Sequence, residues 1–208
     1  MRDLLAQKLR GIYAIVNERG DDTLAVAHAA LEAGANVVQY RAKDTFVPAH
    51  AQALREITRT HDALLIINDD FRAVRLYDAD GVHLGPDDAQ FDDVRLIRSA
   101  LPDKLIGLSV GTVDEAGIAN KLDLDYIGVG SVYATSSKPD AGDPIGLDGL
   151  RAVAAASRFP VAAIGGVGMP NIEDLRGSGV AMAAVISAIS SAADPFEAAR
   201  ELVAAWGE

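Results

Sequence analysis

The 208-residue chain has no cysteine, one tryptophan, only 5% aromatic residues and a formal net charge of −11. Without cysteine there is no disulfide frame, no thiolate metal site and no cysteine nucleophile. The acidic balance, with no cluster of Lys and Arg, excludes a nucleic-acid partner, because a phosphate backbone requires a basic face. No apolar stretch approaches the roughly 20 residues of a membrane span. The opening segment MRDLLAQKLRG carries charges at Arg2, Asp3, Lys8 and Arg10, so it lacks the apolar core of a signal peptide. The expectation is a soluble cytoplasmic protein, with homo-oligomerisation left open.

What the chain does have is hydrophobic content of 50%, enough for one sizeable core and too little length for two comfortable domains. Apolar, β-branched runs alternate with alanine-rich amphipathic segments throughout. Candidate strands are Ile12–Val16, Val37–Tyr40, Leu64–Ile67, Val82–Leu84, Leu105–Leu108, Tyr126–Val129, Val161–Ile164 and Ala183–Ile186. Their near-continuous hydrophobicity fits parallel strands covered on both faces. Helical spacing runs between them, as in Leu24, Ala27, Ala30 and Leu31. Gly34 reads as a helix stop and Thr112 with Glu115 as a capping box. Asp194, Pro195 and Glu197 read as cap, first-turn proline and capping partner of the last helix. Eight strand–helix units predict an α/β fold, a single (β/α)8 TIM barrel spanning residues 1–208. A doubly wound open sheet is the competing architecture, but no GxGxxG follows the first strand.

Polar residues gather at strand ends, where a barrel of this kind carries its active site. Gln39, Arg41 and Lys43 alternate as the second strand ends, so period two sets them on one side while the backbone stays extended. Arg41 offers a planar donor fork and Lys43 a point charge, both suited to phosphoryl oxygens; Gln39 can donate and accept along a heterocycle edge. The plainer alternative is a strand end whose polar groups reach solvent. Asn68 and Asp69 follow the third strand, and Asp87 and Asp88 the fourth. Magnesium takes one or two carboxylates and completes its octahedron with water and phosphate; Asn and Asp are also preferred helix caps. Capping or solvation is the reading for Asp70 and Asp87, and both readings stay open for Asp69 and Asp88. Ile164 to Gly168 (IGGVG) follows the seventh strand, where glycines let amides approach an anion, and a short extra helix beginning near Ser187 would point its N-terminus at it.

Ser131 to Gly146 (SVYATSSKPDAGDPIG) breaks the rhythm. A long connection of this kind is either functional or a solvated excursion; Lys138 behind Ser136 and Ser137 favours a lid over an anion. His83 lies within a strand and reads as a satisfied core residue rather than a general base. His28, His50 and His61 fall in helical patterns, and Phe196 and Trp206 read as packing. Nothing pairs a nucleophile with a base, so electrostatic stabilisation is the expected source of catalysis.

Taken together, these segments resemble the thiamine phosphate synthase family over essentially the whole chain. The family's Gln-x-Arg-x-Lys signature matches Gln39, Arg41 and Lys43. Its Asn-Asp pair matches Asn68 and Asp69, and its second metal carboxylate, after Gly-Val-His-x-Gly, matches Asp88. A fifth-strand serine matches Ser109. The Thr-x-Thr-Lys loop stands here as Thr135, Ser136, Ser137 and Lys138, and the thiazole-phosphate site corresponds to Gly166, Ile186 and Ser187. The resemblance implies that hydroxymethylpyrimidine diphosphate is joined to hydroxyethylthiazole phosphate, with Mg2+ on Asp69 and Asp88. It implies pyrimidine diphosphate contacts from Gln39, Arg41, Lys43, Asn68, Ser109 and Lys138, with Arg41, Lys138 and Ser109 catalytic. Thiazole phosphate would fall to Thr135, Ser137, Gly166, Ile186 and Ser187. The chain departs from the family pattern at Pro86, Gly111 and Asp70, where glutamine, histidine and arginine are usual. Ser131 and Ala134 replace frequent prolines, and Ser137 replaces threonine. Two alternatives are a thiazole tautomerase on the same barrel, which uses a histidine in the region of Gly111, and a silent paralogue that binds thiazole or thiamine phosphate for regulation.

Overall fold

Alternating side chains on a parallel strand must be buried on both faces, and a closed barrel satisfies this with one face turned inward and the other toward helices. The computed structural model describes residues 1–85, 91–137 and 142–207. Its strands are β1 (Gly11–Asn17), β2 (Val37–Arg41), β3 (Leu64–Asn68), β4 (Gly81–Leu84), β5 (Leu105–Val110), β6 (Tyr126–Val129), β7 (Val161–Ala163) and β8 (Met182–Val185). They pair in parallel in sequence order, and β8 returns to β1 with Gly11 opposite Met182, which closes the barrel. The open sheet is excluded, and each strand lies within two residues of its expected bounds.

Around the barrel run α1 (Arg2–Ala6), α2 (Asp21–Glu32), α3 (Pro48–Thr60), α4 (Phe71–Leu76), α5 (Phe91–Ala100), α6 (Val113–Ala119), α7 (Gly146–Ala156), α8 (Ser187–Ser190) and α9 (Pro195–Trp206). Among the described residues no helix is long and apolar enough to cross a membrane. Gly34, at φ 105°, ends α2 and lets the Ala35 N–H turn back to the Ala30 carbonyl at 2.9 Å. The capping box of Thr112 and Glu115 opens α6. Asp194 caps α9, but Glu197 bonds forward to Arg200 at 2.8 Å instead of closing the box. The β7–β8 crossover holds a 3-10 turn, Ile172–Leu175, in place of a full helix, because Pro170, Gly177 and Gly179 leave little chain that propagates one. Trp206 packs on the outer core, whereas Phe196 is exposed.

The inward face carries Tyr13, Ile15, Val37, Leu64, Ile66, Leu105, Tyr126, Ala162, Met182 and Ala184 in one cluster, onto which Leu5, Ala6 and Leu9 pack from the N-terminal segment. The outward residues, among them Ile12, Ala14, Val38 and Leu65, join the helices in the larger cluster.

One buried device occurs twice. Asp80, just before β4, accepts the Leu65 N–H at 2.9 Å and pairs with Arg55 of α3 at 2.6 Å. Asp125, just before β6, accepts the Ile106 N–H at 2.8 Å and pairs with Arg98 of α5 at 2.7 Å. Each carboxylate ties a strand start to the preceding strand and to a helix, so its buried charge is fully partnered.

Candidate active site

The C-terminal strand ends open into a cavity of about 810 Å3. Gln39, Arg41 and Lys43 all line it: Gln39 and Arg41 share one face of β2, and Lys43 reaches the same side from the bend that follows the strand. Gln39 is only 3% exposed, and its Nε2 donates to the Tyr13 hydroxyl at 2.7 Å. Arg41 stands in register with Asn17 of β1 and donates to its Oδ1 at 3.0 Å. Lys43 reaches the Asp69 carboxylate at 2.6 Å, and the Asn68 amide donates to the same oxygen.

Two consecutive aspartates divide the two readings between them. Asp70 caps α4, accepting the N–H groups of Arg72 and Ala73 at 3.0 and 3.2 Å. An arginine at that position could not accept those bonds. Asp69 stands in the left-handed region at φ 62°, its N–H on the His83 carbonyl at 2.9 Å, and lines the cavity. A hard carboxylate beside an amide oxygen, with the cations Arg41 and Lys43 on the same cavity wall, is a donor set that suits magnesium shared with a phosphate. Among the described residues no three His, Asp or Glu side chains gather as an all-protein metal cage; magnesium in phosphate sites needs no such cage. Asp87, Asp88 and Pro86 lie outside the described residues, as does Lys138.

The cavity floor is made by residues whose part the sequence reading did not foresee. Tyr13 and Tyr126 are fully buried within the barrel, their hydroxyls 2.9 Å apart. His83 bonds Tyr126 through Nδ1 and Ser109 through Nε2, each at 3.1 Å. It is satisfied, as expected, but it lines the cavity with Ser109 and is only partly buried. Burial drives the phenol pKa values of Tyr13 and Tyr126 well above normal, so both remain neutral hydroxyls. Glycine makes this floor feasible: a Cβ on Gly107 would lie 2.2 Å from the Tyr126 ring, and one on Gly128 would lie 3.0 Å from His83. The signal was legible in outline, since Tyr13 shares the inward period with Ile15; that it would meet Tyr126 was not.

The wall from β6 to β8 is rich in small residues, set among Ile164, Val167 and Ile186. Gly128, Gly130, Ala162, Gly165, Gly166 and Ala184 all line it, which leaves depth for an apolar ring. Gly166 has φ 65°, and a Cβ there would meet the Ala134 carbonyl at 2.5 Å. That glycine therefore serves the packing of the 131–137 segment as well as any ligand. The segment is held by Val132 N–H to the Ile164 carbonyl at 2.8 Å and Tyr133 N–H to the Gly165 carbonyl at 2.9 Å. Its first residue is also tied to the return of the loop, by Ile145 N–H to the Ser131 carbonyl at 2.8 Å. The short helix does begin at Ser187, whose hydroxyl lies 3.1 Å from that of Ser137; Thr135, Ile186 and Ser187 line the same cavity. Gly111 also lines it, and places no side chain there; its N–H donates to Glu115 at 2.6 Å.

A sequence model of the thiamine monophosphate synthase family matches residues 12–189, which take in all but the first residue of the barrel strands and reach into α8. The chain belongs to that family. It is similar to the thiamine-phosphate synthase of Moorella thermoacetica, 40% identical over 199 residues that cover 92% of this chain and 93% of that protein. The Chloroflexus aurantiacus thiamine-phosphate synthase is 43% identical over 187 residues, 88% of this chain and 85% of its own. Among solved structures, thiamine phosphate pyrophosphorylase from Pyrococcus furiosus superposes with a TM-score of 0.87 at 36% identity and covers 97% of both chains. Membership is thus carried by sequence over nearly the whole length as well as by barrel shape, which unrelated chemistries share.

Proposed function

We propose that this protein joins hydroxymethylpyrimidine diphosphate to hydroxyethylthiazole phosphate, giving thiamine phosphate and diphosphate. The observation that carries the reading is one cavity with two unlike walls. Gln39, Arg41, Lys43, Asn68 and Asp69 stand on one side, and the glycine-lined corner of Gly166, Ile186 and Ser187 on the other. The relatives named thiamine-phosphate synthase support the same reaction.

In this reading the bond between the pyrimidine methylene and the diphosphate oxygen breaks, and its electron pair leaves with the diphosphate. The methylene cation, stabilised by the amino-substituted ring, is then captured by the thiazole nitrogen. Arg41 and Lys43 neutralise the departing oxygens, and Lys138, one residue beyond the cavity-lining Ser137, adds a third cation from the Ser131 to Gly146 loop. Gln39 and Ser109 hold the pyrimidine, while Thr135, Ser137, Gly166, Ile186 and Ser187 hold the thiazole phosphate close enough for capture. Stabilisation of developing charge is the main term, and no covalent protein intermediate is needed. Asp69 and Asp88 would hold magnesium, which supplies further charge neutralisation on the diphosphate. The whole chain works as one domain, the loop acting as its lid, in a soluble cytoplasmic setting; the absence of cysteine and the charged, water-borne substrates support that setting.

The test is diphosphate release by the purified protein, with both substrates or either one, with and without magnesium. The expected result is release, with matching thiamine phosphate, only when both substrates and the metal are present. Isomerisation of a thiazole without diphosphate release would favour the tautomerase, and tight binding without turnover the silent paralogue.

A further inference from the structure

Five side chains from five strands form one unbroken hydrogen-bonded file along the floor of the cavity. Gln39 Nε2 meets Tyr13 Oη at 2.7 Å, Tyr13 Oη meets Tyr126 Oη at 2.9 Å, Tyr126 Oη meets His83 Nδ1 at 3.1 Å, and His83 Nε2 meets Ser109 Oγ at 3.1 Å. Its two ends, Gln39 and Ser109, line the cavity, as do Tyr13 and His83; Tyr126 does not, and is fully buried inside the barrel. We infer that this file runs in one direction, and that it thereby presents Gln39 as an acceptor and Ser109 as a donor to a 4-aminopyrimidine edge. The inference rests on the function proposed above and adds to it the three residues that set its specificity.

The direction follows from counting protons. A hydroxyl has one proton to give. Tyr13 accepts from the Gln39 amide, so its own proton goes to Tyr126. The Tyr126 proton then goes to His83 Nδ1, which must be bare to receive it. The ring proton of His83 therefore sits on Nε2 and is donated to Ser109. Ser109 keeps its own hydroxyl proton for the cavity, and Gln39 keeps its carbonyl Oε1. Burial holds both phenols in the protonated form on which this count depends.

An aminopyrimidine offers an N–H donor on its exocyclic amine beside a bare ring nitrogen. That pattern complements an acceptor at Gln39 and a donor at Ser109. A 4-oxo pyrimidine offers the reverse, a carbonyl beside a ring N–H. To receive it, the Gln39 amide must flip and the protons of Tyr13, Tyr126, His83 and Ser109 must all shift together. Sites built around hydrogen bonds reject mismatched analogues strongly, because their own buried groups are left unpaired. Tyr126 is thus a positioning residue, acting on the substrate only through its neighbours in the file, while Tyr13 and His83 carry the same proton order along the cavity wall.

Two measurements test this. In the wild-type protein, two-bond 15N–1H correlation of the histidine rings, with His83 assigned by its loss in His83→Gln, should report the Nε2–H tautomer. An Nδ1–H tautomer would mean that the file runs the other way and would overturn the inference. Second, Tyr126→Phe keeps the ring and cuts the file in its middle. It should raise the KM of the aminopyrimidine diphosphate about 10-fold, reduce discrimination against the 4-oxo analogue by at least about 10-fold, and leave the thiazole phosphate KM unchanged. Discrimination equal to wild type, or both KM values rising together, would overturn it. Should Tyr126→Phe not fold, Tyr13→Phe makes the neighbouring cut with the same expectations, and the wild-type tautomer decides the direction by itself. If wild-type protein binds no aminopyrimidine diphosphate, the proposed function falls and the specificity claim with it, which is a different result from a wrong tautomer in an active enzyme.

Discussion

Lys43 and Asp69 are 26 residues apart in the chain, yet their charged atoms meet at 2.6 Å beyond the ends of β2 and β3. The adjacency of two parallel strands produces the contact, and the left-handed backbone of Asp69 turns its carboxylate to the same side. Both side chains are substantially exposed, at 48% and 27%, so the pair contributes at most about 1 kcal/mol to stability. Its place on the cavity wall is the stronger reason for its geometry.

Asp69→Asn should therefore separate function from folding. The substitution keeps shape and removes charge, so the thermal midpoint should move by no more than a few degrees. Magnesium activation of diphosphate release should shift to higher concentration and kcat should fall. Unchanged magnesium dependence would remove Asp69 from the metal site.

Lys138→Ala should depress kcat far more than it weakens pyrimidine diphosphate binding. Stabilisation that strengthens as charge develops appears in kcat, whereas uniform binding appears in KM. Losing one such contact costs on the order of 3–4 kcal/mol, a factor of roughly 10²–10³ in rate. Single-turnover kinetics at saturating substrate would read it directly, and a rate near wild type would end the lid hypothesis.

Ser187→Ala should raise the thiazole phosphate KM while leaving pyrimidine diphosphate binding and stability nearly unaltered, because the Ser187 hydroxyl touches only the exposed Ser137 hydroxyl in the described structure. Gly166→Ala is expected to do more. Its Cβ would press on the Ala134 carbonyl in a left-handed backbone, so loss of stability of about 1–3 kcal/mol should accompany any change in KM. Denaturation curves beside the kinetics would distinguish the two.

Asp125→Ala should destabilise by about 3–5 kcal/mol, since it strands the buried end of Arg98, exposes the Arg2 contact and orphans the Ile106 N–H. Equilibrium urea unfolding is the measurement. Activity at low temperature should survive, because none of these groups lines the cavity.

Acid should unfold the protein partly through two carboxylates. The hydrogen bond from Lys104 holds Asp78 below its ordinary pKa. Burial alone would raise Glu18, but bonds from Tyr40, His50 and the Gly20 N–H outweigh it and leave the pKa lowered. A folded pKa below the unfolded one means that the unfolded chain binds the proton more readily. The stabilisation is therefore complete above the unfolded value, about 4, and is lost as pH falls through the lower folded value. Thermal midpoints should drop over that range, and less steeply in Glu18→Gln and Asp78→Asn than in wild type.

The strands were legible in the chain itself because burial on both faces demands continuous apolar runs, and the caps were legible because each uses bonds between residues two or three apart. Gln39 and Arg41 could be placed together because period two is a local property; Lys43 joins them from the bend beyond β2. Contacts between distant strands were not legible. Asp70 reads as a cap and does cap α4, but nothing in the order of residues announced that Asp80 and Asp125 make the same bridge or that His83 would face a cavity. The file from Gln39 to Ser109 depends on side chains from β1, β2, β4, β5 and β6 meeting inside one closed barrel. Local sequence sets which face a side chain takes. Only closure and shear of the barrel decide which inward-facing side chains come within hydrogen-bonding reach of one another.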